Sequence, residues 1–386
     1  PFGIKSDIGK LQLNRANLLG INIIKKYSLA SNYYSLIVDC LFGSGLSRPL
    51  DNISTKIIKQ LNKIDCYKLA CDIPSGINKQ GQLSPICFQA NTTITMGALK
   101  KSLFTDNVKQ YIGKIKVANL GIQREVYENN SNYFLLNKKD MILPIRNNKI
   151  SNKGSFGHLS VICGEKQGAS LIAAEAGFAF GCGLITAINK KPIKKIKNSI
   201  MQNNKLPKNT SAICVGMGLG AKIKLKQLDN TIPKVIDADL FYNPKILKLL
   251  NQDNIVLTPH PKEFCSLLKL CDIDTIDIQT LQNNRFYYIE QFSKKYPNIT
   301  ILLKGVNVLI AFNSKIYINT LGTSVLSKGG SGDVLTGLIG SLLAQGYTPV
   351  NAAINGSLAH TIAASNYKGN NYSLSPEELI SQIKKL

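Results

Sequence analysis

Residues 329–337 read Gly-Gly-Ser-Gly-Asp-Val-Leu-Thr-Gly, and an apolar segment follows them as far as Leu343. The glycines allow a tight turn in which several backbone N–H groups point at one place, and the start of the following helix adds partial positive charge there. This pattern predicts a site for a phosphate group. Asp333 falls in the first helical turn, where a carboxylate either only stabilises the helix or acts as the base that deprotonates an attacking hydroxyl. No Lys-Ser or Lys-Thr pair follows the glycines, so the loop is not of the Walker A type.

Short apolar runs rich in β-branched residues alternate with helical segments on the N-terminal side of this stretch. The predicted strands of the second half are 159–163, 184–188, 211–215, 234–236, 255–257 and 300–303, with a helix at 168–180. The first half repeats the pattern, with strands at 35–41, 68–73, 91–96 and 114–118 and a helix at 55–61. Such alternation is typical of parallel βαβ units, which hold ligands at the strand C-termini. The polar segment 126–139 is interpreted as a junction between two α/β domains, at 1–137 and 138–386.

The positive charge of the chain is large but diffuse. The 386 residues include 47 Lys and Arg against 23 Asp and Glu, a formal net charge of +24. Only five of the positive residues are arginines, and the chain has no tryptophan. Dispersed lysine is typical of solvated surfaces rather than of a nucleic-acid footprint. We therefore expect no nucleic-acid partner, although the positive electrostatic field of the protein would attract an anionic, phosphorylated substrate.

The cysteines and the longest apolar stretch both bear on the cellular compartment. The nine cysteines are an odd number without a Cys-x-x-Cys pair, so neither a disulfide framework nor a zinc ribbon is expected. The stretch 168–188 contains Glu175 and is interrupted by Gly177, Gly181 and Gly183. We interpret it as a buried helix followed by a buried strand rather than as a membrane span. We expect a soluble, cytoplasmic protein without a membrane partner.

Three further patterns follow predicted strands of the second half. Lys304-Gly305 ends the strand at 300–303, where an ammonium either reaches a nucleotide phosphate or is simply solvated. Residues 258–263 read Thr-Pro-His-Pro-Lys-Glu, and the two prolines favour His260 as a positioned binding group over a solvent-facing side chain. Residues 216–220 read Gly-Met-Gly-Leu-Gly, which is compatible with a dinucleotide loop or with a turn.

The remaining polar candidates of this half carry less information. Asp237 and Asp239 follow another strand and would organise a metal ion or water, or cap a turn. His158 and His360 are interpreted as structural, and no cluster of His, Cys and carboxylates has metal-ligand spacing.

Two neighbouring strands of the first half also end in polar turns. Residues 38–49 pass from a strand into the glycine loop Phe-Gly-Ser-Gly and reach Arg48, one of the few arginines. An arginine in such a place favours a bidentate contact with an anion. Residues 72–76 read Asp-Ile-Pro-Ser-Gly and repeat the layout on the next strand. Either turn alone is ordinary turn chemistry, but two at adjacent strand ends predict a binding crevice.

Together these motifs resemble those of the bifunctional NAD(P)H-hydrate repair enzymes, which join an epimerase domain to an ADP- or ATP-dependent dehydratase domain. In the second half the likeness rests on Asn-Lys-Gly-Ser-Phe-Gly at 152–157 and on the motifs at 215–220, 237–239, 258–263, 304–305 and 329–333, in the family's order. The resemblance implies a C-terminal ribokinase-like α/β domain and an N-terminal Rossmann-like three-layer α/β domain, the latter incomplete. It also implies a metabolite-repair function that restores NADH and NADPH after hydration.

The resemblance implies a role for each motif of the second half. In the family, ADP or ATP with Mg²⁺ phosphorylates the hydroxyl that hydration places on the nicotinamide ring of the S epimer, and the phosphate then leaves. Asp333 would be the catalytic base. The residues that would bind the nucleotide are Lys304, Gly305, Val306, Asn307, Val308 and Gly332. The residues that would bind the hydrated cofactor are Ala169, Gly218, His260 and Asp333. Lys262 and Val308 stand where the family usually has Gly and Thr, and the second departure removes a hydroxyl near the nucleotide.

The first half is similar to the later part of the family's epimerase domain, which interconverts the R and S epimers of the hydrated cofactors. By this likeness the hydrated cofactor is held by Gly43, Ser44, Gly45, Leu46, Ser47, Arg48, Pro49 and Asp72, and a potassium ion by Asp39 and Ser75. The family's Asn-Asn-Gly-Gly-Asp-Gly loop, which supplies another ion ligand, is absent and would precede Pro1. We therefore expect the chain to begin inside this domain, and epimerase activity is left open.

Three other functions are compatible with parts of the sequence. A related ribokinase-like kinase acting on a vitamin alcohol would share Gly332-Asp333 but would leave the epimerase-like half unexplained. A nucleic-acid-binding protein would bind tightly with a steep salt dependence. A non-catalytic scaffold would be indifferent to Asp333→Asn. We favour the repair enzyme, a homo-oligomer whose partners are small molecules.

Overall fold

The structure is a computed structural model that describes residues 4, 6–23, 34–220, 228 and 231–386. The chain divides into two compact units, each of which contains a β-sheet. The first unit comprises Pro1–Lys79, Leu83–Gly97 and Gln110–Asn119. The second comprises Gln80–Gln82, Ala98–Lys109 and Leu120–Leu386. The packing units therefore do not follow chain order, and the limits 1–137 and 138–386 stay a prediction.

The first unit is built on a four-stranded parallel sheet. Its strands are β1 (Leu36–Asp39), β2 (Tyr67–Cys71), β3 (Thr92–Met96) and β4 (Lys114–Ala118), hydrogen-bonded in that order. Its helices include α1 (Asp7–Leu18) and α2 (Asn52–Lys63), and the short α3 (Lys109–Ile112) precedes β4. Ile58 of α2 packs against Ala70, Phe88 and Ala90 in a small apolar core. The four strands predicted for the first half are thus confirmed, with ends shifted by one or two residues.

The second unit is built on a larger, mixed sheet, in which ten strands are described. In chain order they are β5 (Tyr133–Leu136), β6 (His158–Ile162), β7 (Leu184–Ile188), β8 (Met201–Asn203), β9 (Ala212–Val215), β10 (Lys234–Ile236), β11 (Ile255–Leu257), β12 (Thr300–Leu303), β13 (Val308–Phe312) and β14 (Lys315–Asn319). Their order across the sheet is β5-β14-β13-β12-β11-β10-β9-β6-β7-β8. The strands from β12 to β8 are parallel neighbours, whereas β12, β13 and β14 pair antiparallel.

Helices cover this sheet and complete the core. They are α4 (Gln167–Ala179), α5 (Ile246–Leu249), α6 (Pro261–Leu270), α7 (Ile278–Asn283), α8 (Arg285–Lys295), α9 (Ser331–Ala344), α10 (Pro349–Ser365) and α11 (Pro376–Ile383). Helix α9 packs against α4 and α10. A Cβ at Gly337 would collide with the carbonyl group of Ala173 on α4, so this glycine lets the two helices approach closely. The last glycine of the 329–337 stretch therefore serves packing rather than ligand binding.

The strand order reverses between β6 and β9. From β6 the sheet continues through β7 and β8 on one side and through β9, β10, β11 and β12 on the other. At such a switch point the loops leaving two adjacent strands diverge and open a crevice at the strand C-termini. The loop after β9 and the start of α4 lie here, while β10, β11 and β12 end along the same edge.

The structure also contains strands that the sequence patterns do not reveal. The polar composition of residues 126–139 predicts a junction, but β5 lies within them and pairs parallel with β14. The hairpin of β13 and β14 turns through Asn313 and Ser314, whose φ angles are 46° and 62°. Positive φ at both residues of a two-residue loop matches the twist of hairpin strands, but glycine is the usual signal and is missing here.

The apolar stretch 168–188 is divided between α4 and β7, as its glycines predict. Within the described part of the chain, no helix has both the length and the apolar character needed to cross a membrane. The nine cysteines, which all lie in this part, are free thiols.

Candidate active site

An ion pair links the ends of two parallel strands beside the glycine turn. The Lys304 ammonium, just after β12, donates to Asp237 Oδ1, just after β10, at 2.7 Å. Thr336 on α9 donates its hydroxyl to the other carboxylate oxygen of Asp237 at 2.8 Å. A Cβ placed on Gly332 would lie 3.3 Å from Lys304 Nζ. The ammonium is therefore held against the glycine turn, where it adds positive charge to the site predicted for a phosphate.

Asp333 occupies the first turn of α9, which starts directly after Gly330 in the left-handed conformation (φ 88°). Its side chain is half-buried, and burial raises the pKa of this carboxyl to about 6, helped by the nearby negative charge of Asp237 and opposed by Lys304. The N–H groups of a first helical turn have no partner within the helix and are available to an anion. Asp333 thus combines a basicity suited to proton transfer near neutral pH with a position beside an anion site.

His260 and Glu263 form a reciprocal cap at the start of α6, just after β11. His260 Nδ1 accepts the N–H groups of Lys262 and Glu263 at 3.1 and 3.2 Å, and Glu263 accepts the N–H of His260 at 2.8 Å. Nδ1 is an acceptor, so the proton is on Nε2, which lies 3.1 Å from Glu263. The imidazole is still 45% exposed, enough to contact a ligand.

Glu263 is a site residue that the sequence patterns alone do not assign a role. Burial raises the pKa of its carboxyl to about 7, opposed mainly by the charge of Lys304 and reinforced by Asp237. The signal was present in the spacing, because a Glu three residues after a capping residue is the pattern of a capping box. No local sequence pattern, in contrast, indicates that Glu263 lies near Lys304 and Asp237.

A cavity of about 570 Å³ opens beside these groups. Its lining includes most of the residues predicted to bind nucleotide, namely Lys304, Gly305, Val306, Val308 and Gly332, together with His260. Asn307 is not part of this lining, and it is only 1% exposed. The remaining lining residues are Asp106, Gln282, Gly322, Thr323, Ser324, Leu326, Ser327, Lys328, Ser331, Leu335, His360 and Thr361.

His360 of α10 also lines this cavity, although its sequence context had indicated only a structural role. Its Nε2 donates to the carbonyl oxygen of Ser331 at 2.9 Å and lies 3.1 Å from the Ser331 hydroxyl. Burial lowers the pKa of this imidazole to about 4, so it is neutral at physiological pH. A neutral His360 holds the first residue of α9 and thereby the glycine turn. His158, in contrast, is enclosed in the sheet by Asn209 and Thr186.

Ala169 and Gly218 lie at the switch point between β6 and β9. Gly218 has a φ of 59°, and its carbonyl accepts the N–H of Lys166 at 2.9 Å. Ser170 donates its hydroxyl to the carbonyl of Met217 at 2.9 Å. The loop after β9 is thus tied to the start of α4, which brings the two predicted cofactor contacts to one crevice.

In the first unit, Asp39 and Ser75 meet at the ends of β1 and β2. The Ser75 hydroxyl donates to Asp39 Oδ1 at 2.7 Å, and its N–H donates to Oδ2 at 2.7 Å. The carbonyl oxygen of Phe42 lies 3.4 Å from the same hydroxyl. Burial raises the pKa of the Asp39 carboxyl, and the bonds from Ser75 oppose that effect. The Ser75 hydroxyl therefore lies close to oxygens of both Asp39 and Phe42, and all three oxygens are of the type that hard cations prefer.

Asp72 connects the predicted loop 43–49 to the next strand. It adopts a positive φ of 70°, and its carboxylate accepts the N–H of Ser44 at 3.0 Å. A Cβ on Gly43 would lie 3.0 Å from the same carboxylate oxygen. Within the loop Leu46 is buried, whereas Gly45, Ser47, Arg48 and Pro49 are exposed. The structure therefore unites Gly43, Ser44 and Asp72, and it leaves the Arg48 side chain at the surface.

Two family models match the chain. The model described as NAD(P)H-hydrate dehydratase covers residues 159–385, and the model described as YjeF-related protein N-terminus covers residues 1–102. A bifunctional NAD(P)H-hydrate repair enzyme from Helicobacter pylori is 40% identical, over 99% of this chain and 82% of the relative. The enzyme of the same name from Coxiella burnetii is 33% identical, over 85% of this chain and 70% of the relative.

Solved structures share the fold of the second unit. A ribokinase-like superfamily protein from Enterococcus faecalis has a TM-score of 0.53 at 21% identity, over 67% of this chain and 97% of its own. An ADP/ATP-dependent NAD(P)H-hydrate dehydratase from Bacillus subtilis, co-crystallised with ATP and Mg²⁺, has a TM-score of 0.53 at 24% identity. It covers 63% of this chain and 92% of its own. The ribokinase-like α/β architecture predicted from the sequence is confirmed.

Proposed function

The chain belongs to the family of bifunctional NAD(P)H-hydrate repair enzymes, and from this premise we propose that it dehydrates the S epimer of hydrated NADH and NADPH at the expense of ADP or ATP. The family predicted from the motifs is thus confirmed, with a dehydratase part and an epimerase-like N-terminal part. The observation that carries the proposed mechanism is the position of Asp333, with its raised pKa, in the first turn of α9 and close to Lys304. Asp333 is not itself part of the cavity lining, but its neighbour Gly332 and Lys304 are.

In the proposed mechanism the nucleotide lies in the cavity with its terminal phosphate at the glycine turn. Asp333 takes the proton of the ring hydroxyl as the oxygen attacks this phosphorus, and the bond to the leaving AMP or ADP breaks. The N–H groups around Gly332 and the ammonium of Lys304 bind the charge on the transferring group. The phosphate then leaves the ring carbon with its bonding electrons, the adjacent ring carbon loses a proton to solvent, and the electrons of that C–H bond restore the ring double bond.

The carboxylates near the glycine turn suit Mg²⁺, an ion that phosphoryl-transfer enzymes use to neutralise phosphate charge. Mg²⁺ is commonly bound by one or two carboxylates with phosphate oxygens and waters, and Asp237, Glu263 and Asp333 supply carboxylate oxygens along one edge. Within the described ranges, no group of three or more His, Cys, Asp or Glu is arranged to hold a metal by itself. This supports an ion held largely by the nucleotide.

A ribokinase-like vitamin kinase is not favoured, because it does not account for the epimerase-like N-terminal part that the YjeF-related model matches. The deciding experiment supplies both epimers of hydrated NADH with Mg²⁺ and either ADP or ATP, and follows recovery of the absorbance of NADH. Recovery that requires a nucleotide supports the dehydratase. No recovery with either nucleotide, combined with phosphorylation of a small alcohol, would establish the kinase instead.

The pH dependence follows from the raised pKa of Asp333. Below about pH 6 the carboxyl is protonated and cannot accept a proton, so kcat/KM should fall about tenfold per pH unit on the acid side. The measurement is the dehydration rate from pH 5 to 9 at constant ionic strength. Glu263→Gln is the control, because it removes the neighbouring group with a pKa of about 7. If this variant lost the acid limb, Glu263 rather than Asp333 would be the titrating base.

We place a potassium ion at Asp39 and Ser75 of the epimerase-like part. The Ser75 hydroxyl lies 2.7 Å from the Asp39 carboxylate and 3.4 Å from the carbonyl oxygen of Phe42, and all three are oxygen donors that a hard cation prefers. By the same proposal, Asp72 and the loop 43–49 bind the hydrated cofactor. When bound, the ion would hold the ends of β1 and β2 together at that site.

Potassium should raise the melting temperature of the wild-type protein by a few degrees relative to tetramethylammonium, because a ligand that binds only the folded state stabilises it. Asp39→Asn should abolish this difference, as measured by calorimetry. Asp51→Asn is the matched control: Asp51 caps α2 of the same unit by accepting the Ser54 N–H at 2.7 Å. An undiminished potassium effect in Asp39→Asn would remove the ion from this place.

Oligomeric state and compartment also remain proposals. The resemblance to the family supports a homo-oligomer, which sedimentation velocity of the purified chain would test. The nine free thiols support a reducing compartment such as the cytoplasm.

A further inference from the structure

Arg285, at the start of α8, is a fully buried cation outside the groups that the proposed chemistry uses. Its side chain is 1% exposed and forms an ion pair with Asp106, whose side chain is 8% exposed. Arg285 Nη2 donates to the carbonyl oxygens of Leu303 at 3.3 Å and of Lys304 at 3.0 Å. Burial acts to lower the pKa of this guanidinium, and the charge of Asp106 opposes that effect. A buried ion pair of this kind is costly to break, so the backbone it holds is well determined.

Asp106 continues the same set of bonds on the other side of Gly305. Its carboxylate accepts the N–H of Val306 at 3.1 Å and the N–H of Asn307 at 3.0 Å. A side chain on Gly305 would collide with the Arg285 guanidinium and with Asp106. The ion pair therefore contacts the backbone of residues 303–307 from one side. The guanidinium binds the carbonyl oxygens of residues 303 and 304, and the carboxylate binds the N–H groups of residues 306 and 307. This also explains the glycine at 305.

The segment that carries Asp106 provides further bonds to the same loop. Asn307 donates its side-chain amide to the carbonyl of Phe104 at 2.9 Å. Lys109 Nζ donates to Asn307 Oδ1 at 3.2 Å and to the carbonyl of Thr320 at 2.7 Å. The side chain of Asn307, which is predicted to bind nucleotide, is therefore hydrogen-bonded to Phe104 and Lys109 and does not line the cavity.

The position of this segment in the chain is unexpected. Residues 98–109 lie between β3 and β4 of the first sheet in chain order, yet they pack within the second unit. Asp106 lies between the two matched ranges, 1–102 and 159–385, so neither family model includes it. The dehydratase model therefore describes Arg285 and residues 304–308 without Asp106 and Lys109, which contact them here.

We propose that Asp106 and Arg285 are positioning residues for the nucleotide: they hold residues 303–307 in the shape that the nucleotide binds, so nucleotide affinity depends on the segment 98–109. The inference rests on the proposed function, which places the nucleotide against this loop. Asp106 and Gly305 line the same cavity, and the backbone of Val306 joins them. A loop already held in its bound shape loses less conformational freedom on binding, which raises affinity without a direct contact.

The test is Asp106→Asn, which keeps the size of the side chain but removes the charge opposite Arg285. We expect the KM for ADP or ATP to rise about tenfold or more, while the KM for hydrated NADH and the kcat at saturating nucleotide change by less than about threefold. Hydrogen exchange of the amides of Val306 and Asn307 should become faster. Asp277→Asn is the matched control: Asp277 accepts a backbone N–H from Thr280 at 2.7 Å at the start of α7.

A second variant keeps the inference testable if Asp106→Asn does not fold. Lys109→Met removes the bonds to Asn307 and Thr320 without leaving a buried charge unpaired, and it should raise the nucleotide KM by about threefold or more. An unchanged nucleotide KM in a folded variant, or an equal loss in both KM values and kcat, would overturn the positioning role. A wild-type protein that needs no nucleotide for recovery of NADH would instead overturn the proposed function, so the two failures are distinguishable.

Discussion

Replacing Asp333 by Asn should lower kcat for nucleotide-dependent dehydration by at least about 10²-fold, since a positioned general base contributes roughly 10²–10⁴-fold. Asparagine has almost the same shape as aspartate but cannot accept the proton of the ring hydroxyl. The KM for the nucleotide should change little, because the glycine turn and Lys304 stay in place. The measurement is steady-state recovery of NADH at saturating ADP or ATP.

The same substitution should not lower the thermal stability. Burial raises the pKa of Asp333 to about 6 from its ordinary value of 3.8, so at pH 8 the ionised carboxylate is less favourable in the folded chain than in the unfolded one. A neutral amide removes this cost, and it loses only the small interaction of a carboxylate with the helix start. Asp253→Asn is the control, because Asp253 only accepts a hydrogen bond from Asn298 at the surface. Turnover near the wild-type level in a folded Asp333→Asn protein would exclude Asp333 as the base.

Replacing Lys304 by Met should have the second large effect, on nucleotide use and on pH dependence together. The ammonium lies beside Gly332, so its loss removes positive charge from the phosphate site, and the nucleotide KM should rise by about tenfold or more. Lys304 also acts to lower the pKa of Asp333, so without it the acid limb of the pH profile should move above pH 6. Both readouts come from rates at varied nucleotide concentration between pH 5 and 9.

Lys304→Met also leaves the buried Asp237 without its cationic partner, which typically costs about 3–5 kcal/mol of folding free energy. The double variant Lys304→Met/Asp237→Asn separates the two consequences. Its amide can still bond Thr336 without carrying a charge, so stability should return while the nucleotide KM stays high. If either variant weakened binding of the hydrated cofactor more than that of the nucleotide, the two ligands would have to exchange places.

Much of this protein follows from local sequence, because the signals concerned are themselves local. A glycine turn followed by an apolar helix has the same appearance wherever it occurs, and residues 329–337 therefore predict the start of α9 and the position of Asp333. The same reasoning predicts Lys304 at the end of β12 and His260 shortly after β11. Glu263 also has a local signal, because it stands three residues after the capping residue His260.

The groups that tune the site had no such signal, because they come from distant parts of the chain. Asp237 meets Lys304 across 67 residues and Thr336 across 99, and only the alignment of β10, β12 and α9 brings them together. Strand β5 is recognisable as a strand only by its pairing with β14. Asp106 reaches Asn307 across 201 residues from the segment between β3 and β4, to which no sequence pattern assigned a role. Sequence determined which residues can do the chemistry, whereas tertiary packing decided which charges surround them, because pKa values and loop shapes depend on distance in space rather than along the chain.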